Sequence, residues 1–252
     1  MILAVILILV GITCMCVLYF YRDPERQVRR VDNAVLSPAD GSVVSIRRYV
    51  AGVTPTLSKD GRYFRIDELT GTTVLGSDGT IISIHISPLD IHTIRSPTDA
   101  KVTHIYLIKG GLKFMRDPTF EVTNERVSMV METAYGSIGL VIVGAPIASS
   151  VKLLTDVGNC VLAGERVARI RLGSLANLII PDECKLKLAV SCGKRVRAGI
   201  TVVATQSEDS VLHEECHMPK NSTALERLYL IFLAVYTIVR MVWASLRRPK
   251  VS

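Results

Sequence analysis

The sequence predicts a mainly β protein: a duplicated β domain with an apolar helical segment at each end. Three observations predict it. Between about Val35 and Val203 the chain is a series of short β-branched runs broken by Gly, Pro, Asp and Asn. Two pairs of internal repeats lie inside that region. The ends, Met1–Tyr21 and Leu225–Leu246, are long and apolar.

The chain has 252 residues, enough for a sizeable core. Hydrophobic residues make up 49%, with a mean hydropathy of +0.35. The net charge of +7 suits an anionic lipid surface or nucleic acid. Only 6% of residues are aromatic and no basic stretch is interleaved with aromatics, so nucleic acid is not an expected partner. The six cysteines form no C-x-x-C pair and read as inert thiols of a reducing compartment.

Residues 1–21 carry no charge, and about 20 helical residues span a bilayer core of about 30 Å. The segment lacks the basic start and the small-residue cleavage site of a secretory signal, so it reads as an uncleaved anchor. Arg22, Arg26, Arg29 and Arg30 follow it. The positive-inside rule then expects the body at the cell membrane on its cytoplasmic side. That body is residues 22–205. Within it 51–79 is rich in Gly, Thr, Ser and Asp and reads as an inserted hairpin or loop. Residues 206–252 begin with a polar linker and end in an apolar helix containing Arg240. A second span and a helix lying in the interface are both compatible with it.

The first repeat pairs Leu36-Ser37-Pro38-Ala39-Asp40-Gly41-Ser42-Val43 with Arg95-Ser96-Pro97-Thr98-Asp99-Ala100-Lys101-Val102. The second pairs Val157–Gly164 with Ser191–Gly199. Each is a turn followed by a strand. Such units resemble the hairpins of lipoyl- and biotinyl-carrier domains and other barrel-sandwich hybrids. Neither repeat offers a lysine in the tight turn a carrier needs, so they speak for a duplicated barrel-sandwich-hybrid-like domain without a carrier role.

Several residues are candidates for chemistry. His213, Glu214 and His217 match H-E-x-x-H, the helical zinc motif of metalloproteases. The motif follows a polar linker and Pro219 stops any helix, so a solvated turn is the simpler reading. His85 and His92 flank the turn Ser87-Pro88-Leu89-Asp90, and Arg95 follows. An imidazole and a cation after one turn suit an anionic substrate and proton transfer, although a histidine in an apolar strand is usually structural. Gly173-Ser174 follows the strand-like run Glu165–Leu172 and by itself reads as a turn.

Four segments, in order, resemble the short form of the phosphatidylserine decarboxylase family, which includes archaetidylserine decarboxylases. They are Phe20-Tyr21-Arg22-Asp23-Pro24-Glu25-Arg26, Leu36–Gly41, Ile86–Pro97, and Arg169–Ser174 with Val190–Ala204 after it. Asn124-Glu125-Arg126 fits a further family element. The resemblance runs from about residue 18 to 204.

The resemblance implies a self-cleaving proenzyme of phospholipid biosynthesis. Ser174 would attack the carbonyl of Gly173 to give an ester. β-Elimination and hydrolysis would leave a pyruvoyl group derived from Ser174 at the new terminus, an electron sink replacing pyridoxal phosphate. The substrate would be a membrane phospholipid of the phosphatidylserine or archaetidylserine type. Its products would be the ethanolamine lipid and CO2. The α and β chains would stay associated, a homo-oligomer is compatible, and no metal is expected. Asp40 matches the family's processing carboxylate and His92 its proton-transfer histidine. Arg95 stands where longer members have a second histidine. The region of Lys152 lacks the paired arginines of relatives, and Lys152 supplies part of that charge. Arg95, His85 and Lys152 are the expected substrate contacts. The non-catalytic alternative is a membrane-tethered β-sandwich module binding lipid or protein.

Overall fold

A computed structural model describes residues 11, 14–15, 18–28, 33–57, 61–111, 113, 117–144, 151–170 and 174–206. The body, Asp23–Met218, is one compact unit, and the residues up to Arg22 belong to another. In that other unit residues 18–20 are helical, and the Arg22 guanidinium lies 3.7 Å over the Tyr19 ring. No helix among the described residues is long and apolar enough to cross a membrane. Most of the expected anchor, the C-terminal helix, and His213, Glu214 and His217 lie outside the described residues.

The body is mainly β. Its strands are β1 (Ala34–Leu36), β2 (Gly41–Tyr49), β3 (Val53–Leu57), β4 (Tyr63–Arg65), β5 (Gly79–Ile86), β6 (Thr93–Arg95), β7 (Ala100–Ile108) and β8 (Arg126–Thr133). They continue with β9 (Gly136–Val143), β10 (Val151–Leu153), β11 (Cys160–Val161), β12 (Arg166–Ile170), β13 (Ser174–Pro181), β14 (Lys187–Leu188), β15 (Arg195–Val196) and β16 (Val202–Thr205). Two short helices, α1 (Ile66–Thr70) and α2 (Phe120–Thr123), interrupt them. The expected insertion at 51–79 is the β3–β4 hairpin followed by α1.

An eight-stranded antiparallel sheet, ordered β11-β7-β8-β9-β13-β5-β2-β15, curls into a half-barrel. One face, with Ile82, Ile84, Ile86, Met129, Leu140 and Leu178, packs against residues of two three-stranded sheets, β1-β16-β14 and β10-β12-β6. The other face, with Ile81, Val141, Val143, Leu175 and Ile179, is covered by Ile66 and Leu69 of α1, Phe120 of α2, and Leu75. Burial on both faces explains why β5 and β13 read as nearly unbroken apolar runs. Each buried aliphatic side chain is worth roughly 1.5–3 kcal/mol, so the cover of the second face is energetically needed.

The sequence repeats occupy matching places. Ser37 and Ser96 each donate a side-chain hydrogen bond to a carbonyl two residues on, Ala39 and Thr98, at 2.7 Å. The two turns also bond each other: Leu36 N–H donates to the Pro97 carbonyl at 2.7 Å, and Arg95 N–H to the Pro38 carbonyl at 2.8 Å. In the second repeat Gly158 N–H donates to Val102 and Gly193 N–H to Val43, while β11 pairs with β7 as β15 pairs with β2.

Cys14, Cys160 and Cys184 are free thiols, but Cys192 is disulfide-bonded, so the cysteines are not all inert thiols.

Candidate active site

β12 ends at Ile170 and β13 begins at Ser174, on either side of residues 171–173. Ser174 does not sit in a turn: it is the first residue of β13, a strand paired on both sides, with β5 and β9. Its register partner is Ile86, the last residue of β5. On the other flank, Ile170 ends β12 and its N–H donates to the His92 carbonyl at 2.8 Å. Both flanks of the segment are therefore fixed against one stretch, 86–92. Gly173 lies outside the described residues, as does the Ser174 side chain.

The turn within that stretch is closed by two hydrogen bonds. Asp90 N–H donates to the Ser87 carbonyl at 2.9 Å, and Ser87 N–H donates to Asp90 Oδ2 at 2.9 Å. Arg195 of β15 binds both Asp90 carboxylate oxygens. Burial pushes the Asp90 carboxyl up, but the Arg195 and Ser87 hydrogen bonds outweigh it and hold it below its ordinary value. His85 lies on the same strand end, across from Ser42 and Leu175. Burial lowers its pKa, opposed by the Asp90 charge and reinforced by Arg195. His92 is buried.

Asp40 ends the turn that enters β2. The next residue, Gly41, cannot carry a side chain: a Cβ there would lie 2.1 Å from the His85 carbonyl oxygen. Ser42 pairs with His85, and His85 directly precedes Ile86, the partner of Ser174. The Asp40 turn and Ser174 are thus two strands apart at one end of the sheet, about 10 Å by strand spacing. The carboxylate of Asp40 is committed. Arg26 grips it with both terminal nitrogens, Nη1 to Oδ1 at 2.6 Å and Nη2 to Oδ2 at 2.7 Å, and Ala198 N–H donates to Oδ1 at 2.7 Å.

Arg26 belongs to a strap, residues 23–28, laid along the body. Asp23 accepts from Arg166 at 2.8 Å and Arg169 at 2.6 Å, and Arg95 lies 3.5 Å away. Burial raises the Asp23 carboxyl, and the hydrogen bonds and charges of Arg169 and Arg166 bring it net below its ordinary value. Arg95 is buried and donates to the carbonyls of Gly164 at 2.8 Å and Pro24 at 3.2 Å. Lys152 is exposed on β10, opposite Arg169.

So the structure brings the backbones of Asp40, His85, His92 and Ser174 to one end of the sheet. Arg95 faces the strap, and Lys152 sits on the neighbouring three-stranded sheet. Sequence reasoning missed Asp23, Arg26, Arg166, Arg169 and Arg195 as parts of this neighbourhood. The density of charge in Arg22–Arg26 was the available signal. Among the described residues, no group of three or more metal-ligating side chains is gathered.

Several known proteins are similar to this chain over about three quarters of its length. A Methanocaldococcus jannaschii protein, provisionally named archaetidylserine decarboxylase proenzyme, is 32% identical over 192 residues, 76% of this chain and 90% of the relative. The phosphatidylserine decarboxylase proenzyme of Zymomonas mobilis is 33% identical over 195 residues, 77% of this chain and 73% of the relative. That of Streptomyces griseus is 33% identical over 184 residues, 73% of this chain and 71% of the relative. The pattern of the phosphatidylserine decarboxylase family matches residues 15–204, which takes in the strap, the Asp40 turn, the 86–92 stretch and Ser174. The chain belongs to the phosphatidylserine decarboxylase family.

Proposed function

We propose that the chain is a self-cleaving, pyruvoyl-dependent decarboxylase that converts a phosphatidylserine-type or archaetidylserine lipid to the ethanolamine lipid and CO2. The observation that carries this reading is the fixing of both flanks of 171–173 against 86–92. A peptide bond held at both ends in a folded site is one that a neighbouring hydroxyl can attack repeatedly from one direction.

In the proposed self-cleavage, the Ser174 hydroxyl adds to the Gly173 carbonyl and the peptide C–N bond breaks, giving an ester and a free amine. Elimination then releases Gly173 as a carboxylate. Water takes the place of the amine nitrogen on residue 174, which leaves as ammonia. Asp40 is the carboxylate assigned to this processing. The fold suits the resulting group, because residue 174 stays at the head of a strand held by Leu175 to both His85 and Val143. When formed, the pyruvoyl group supplies the electron sink for loss of CO2.

His92 is the proposed proton donor to the substrate α-carbon, supported by its burial and by its bond to Ile170. Exposed Lys152 and partly buried His85 are the proposed head-group contacts. Arg95 would act beside them by holding the strap, since its donors reach Gly164, Pro24 and Asp23. The chains would stay associated, because residues 174–252 contribute β13 to the middle of the sheet, between strands that precede the cut.

The body at 22–205 would be a duplicated barrel-sandwich hybrid on the cytoplasmic side of the cell membrane. Residues 1–21 would anchor it, and the helix within 206–252 would cross or lie on the same membrane. A body held at the bilayer needs to act only on the lipid head group.

The test is the mass of the purified protein under denaturing conditions. Two chains are expected, one ending at Gly173 and one starting at a blocked residue 174. Ser174→Ala should remain a single chain of 27.6 kDa without activity. An uncut wild-type chain in an active preparation overturns the mechanism, and an uncut, inactive but lipid-binding chain favours the non-catalytic module.

A further inference from the structure

The duplication contains an internal control for Asp40. Its counterpart in the other copy of the turn is Asp99, and each accepts a hydrogen bond at 2.7 Å from an alanine N–H, Ala198 for Asp40 and Ala163 for Asp99. That bond is what the turn itself requires. The Arg26 fork is added at Asp40 alone: Asp99 is exposed, and no arginine among the described residues pairs with it. An ion pair absent from one of two matching turns is not needed to form the turn.

Its geometry suggests what it does. A carboxylate offers about four acceptor positions. Arg26 and Ala198 fill three of them, two on Oδ1 and one on Oδ2. A bidentate guanidinium also fixes the plane of the carboxylate, which a single donor does not. The Asp40 carboxylate is therefore held in one orientation, with one acceptor position left on Oδ2.

Arg26 is itself held from several directions. Its Nη1 also donates to the Ala198 carbonyl at 2.6 Å. Ahead of it Asp23 binds Arg166 and Arg169. Behind it Val28 packs on Gly164 and Gly199, which approach each other closely. The strap thus docks over the region where the two repeats meet, and delivers Arg26 from there.

We infer that Arg26 is a positioning residue for the self-cleavage at Gly173-Ser174: it orients the Asp40 carboxylate, so processing depends on the docked strap. This rests on the proposed self-cleavage. It assigns to the juxtamembrane segment a part in the chemistry in addition to its place in the chain.

The test follows cleavage of freshly synthesised full-length proenzyme by mass, beside the thermal midpoint of each variant. Arg26→Ala should cleave roughly ten- to a hundredfold more slowly, and millimolar guanidinium should restore part of the rate. Arg26→Lys keeps the charge but loses the fork, so it should cleave slowly at a nearly unchanged midpoint. Arg126→Ala removes a buried arginine that binds the carbonyls of Leu69 and Val122. It is the control for general destabilisation, and guanidinium should leave its cleavage rate unchanged.

Wild-type rates in both Arg26 variants overturn the inference. So does slow cleavage that guanidinium does not rescue and that tracks the fall in midpoint as it does in Arg126→Ala. A wild-type chain that never cuts instead overturns the proposed function beneath it. That outcome is distinct from one in which wild type and Arg26 variants cut alike.

Discussion

Asp40 and Asp99 stand at the same position in two copies of one turn, each bound to an alanine N–H at 2.7 Å, but only Asp40 is gripped by an arginine. Near-identical local structure therefore surrounds two carboxylates with different surroundings beyond the turn. One faces solvent at the start of β7; the other is buried at the end of the sheet where Ser174 begins β13.

This difference separates turn formation from processing. Asp99→Ala should lower stability by about 1 kcal/mol, the worth of one hydrogen bond, and leave self-cleavage at the wild-type rate. Asp40→Asn should slow cleavage severely, because a neutral amide cannot accept the fork on both atoms. The comparison is read from chemical denaturation and from the fraction cut against time.

A second expectation concerns the outer face of the sheet. Ser45, Ser83, Asn177, Val141 and Ser128 lie in register across β2, β5, β13, β9 and β8. Over this row, Arg47 binds Glu121 at 2.7 Å, Thr56 at 2.9 Å and Ser83 at 3.0 Å, and Asn177 donates to Glu121 at 3.3 Å. Both charges are buried. Removing one partner strands the other, so Arg47→Met or Glu121→Leu should each cost roughly 3–5 kcal/mol. The double variant Arg47→Met/Glu121→Leu should recover most of that loss. Denaturant midpoints of the four proteins test this, and additive losses would contradict it.

The longer parts of the fold were legible because they are repetitive. β2, β5 and β9 are rich in Val and Ile and β8 in Val and Met, and both sequence repeats correspond to matching turns. Strands of two or three residues, such as β6, β11 and β15, are too short to show a period. Ser174 read as part of a turn because Gly-Ser is a turn-like pair; its strand comes from pairing with β5 and β9, contacts made about 90 and 30 residues away in the chain. The candidate site was legible only as separate residues. His92, Asp40 and Ser174 could be named, but the grip of Arg26 on Asp40 and of Arg166 and Arg169 on Asp23 is made by tertiary packing alone. The lone polar residues inside β5, β13 and β8 were the one visible trace of the buried row.

Strap docking makes a third expectation. Gly164 has a left-handed φ of +78°, and a Cβ there would lie 2.2 Å from Val28 Cγ2. Gly158, at φ +93°, has nothing within 4 Å of a built Cβ. Gly158→Ala therefore carries only the backbone cost of roughly 1–2 kcal/mol, whereas Gly164→Ala carries that cost plus the clash. Val28→Ala should relieve the clash and leave the backbone term, giving a coupling between positions 28 and 164 in a double-mutant cycle. Gly164→Ala should also expose Arg26 to trypsin. Equal losses for the two glycines would show that Val28 does not rest there.

The last expectation is a pH dependence from His85. Its folded-state pKa is lowered from 6.5, mainly by burial, with Asp90 opposing and Arg195 adding to the effect. The unfolded chain then binds a proton at a pH where the folded chain does not. Stability should therefore be fully present above about pH 6.5, fall as the pH drops through that value, and level off below the lower folded pKa. The loss is bounded by the uptake of one proton. His85→Gln should flatten the slope in that window while leaving the acid limb from Asp23 and Asp90, whose carboxyls are held low and titrate below their ordinary values. Denaturant unfolding between pH 7.5 and 5, about the range where imidazoles titrate, reads the difference between the two proteins. An unchanged slope in His85→Gln would mean that another histidine governs it.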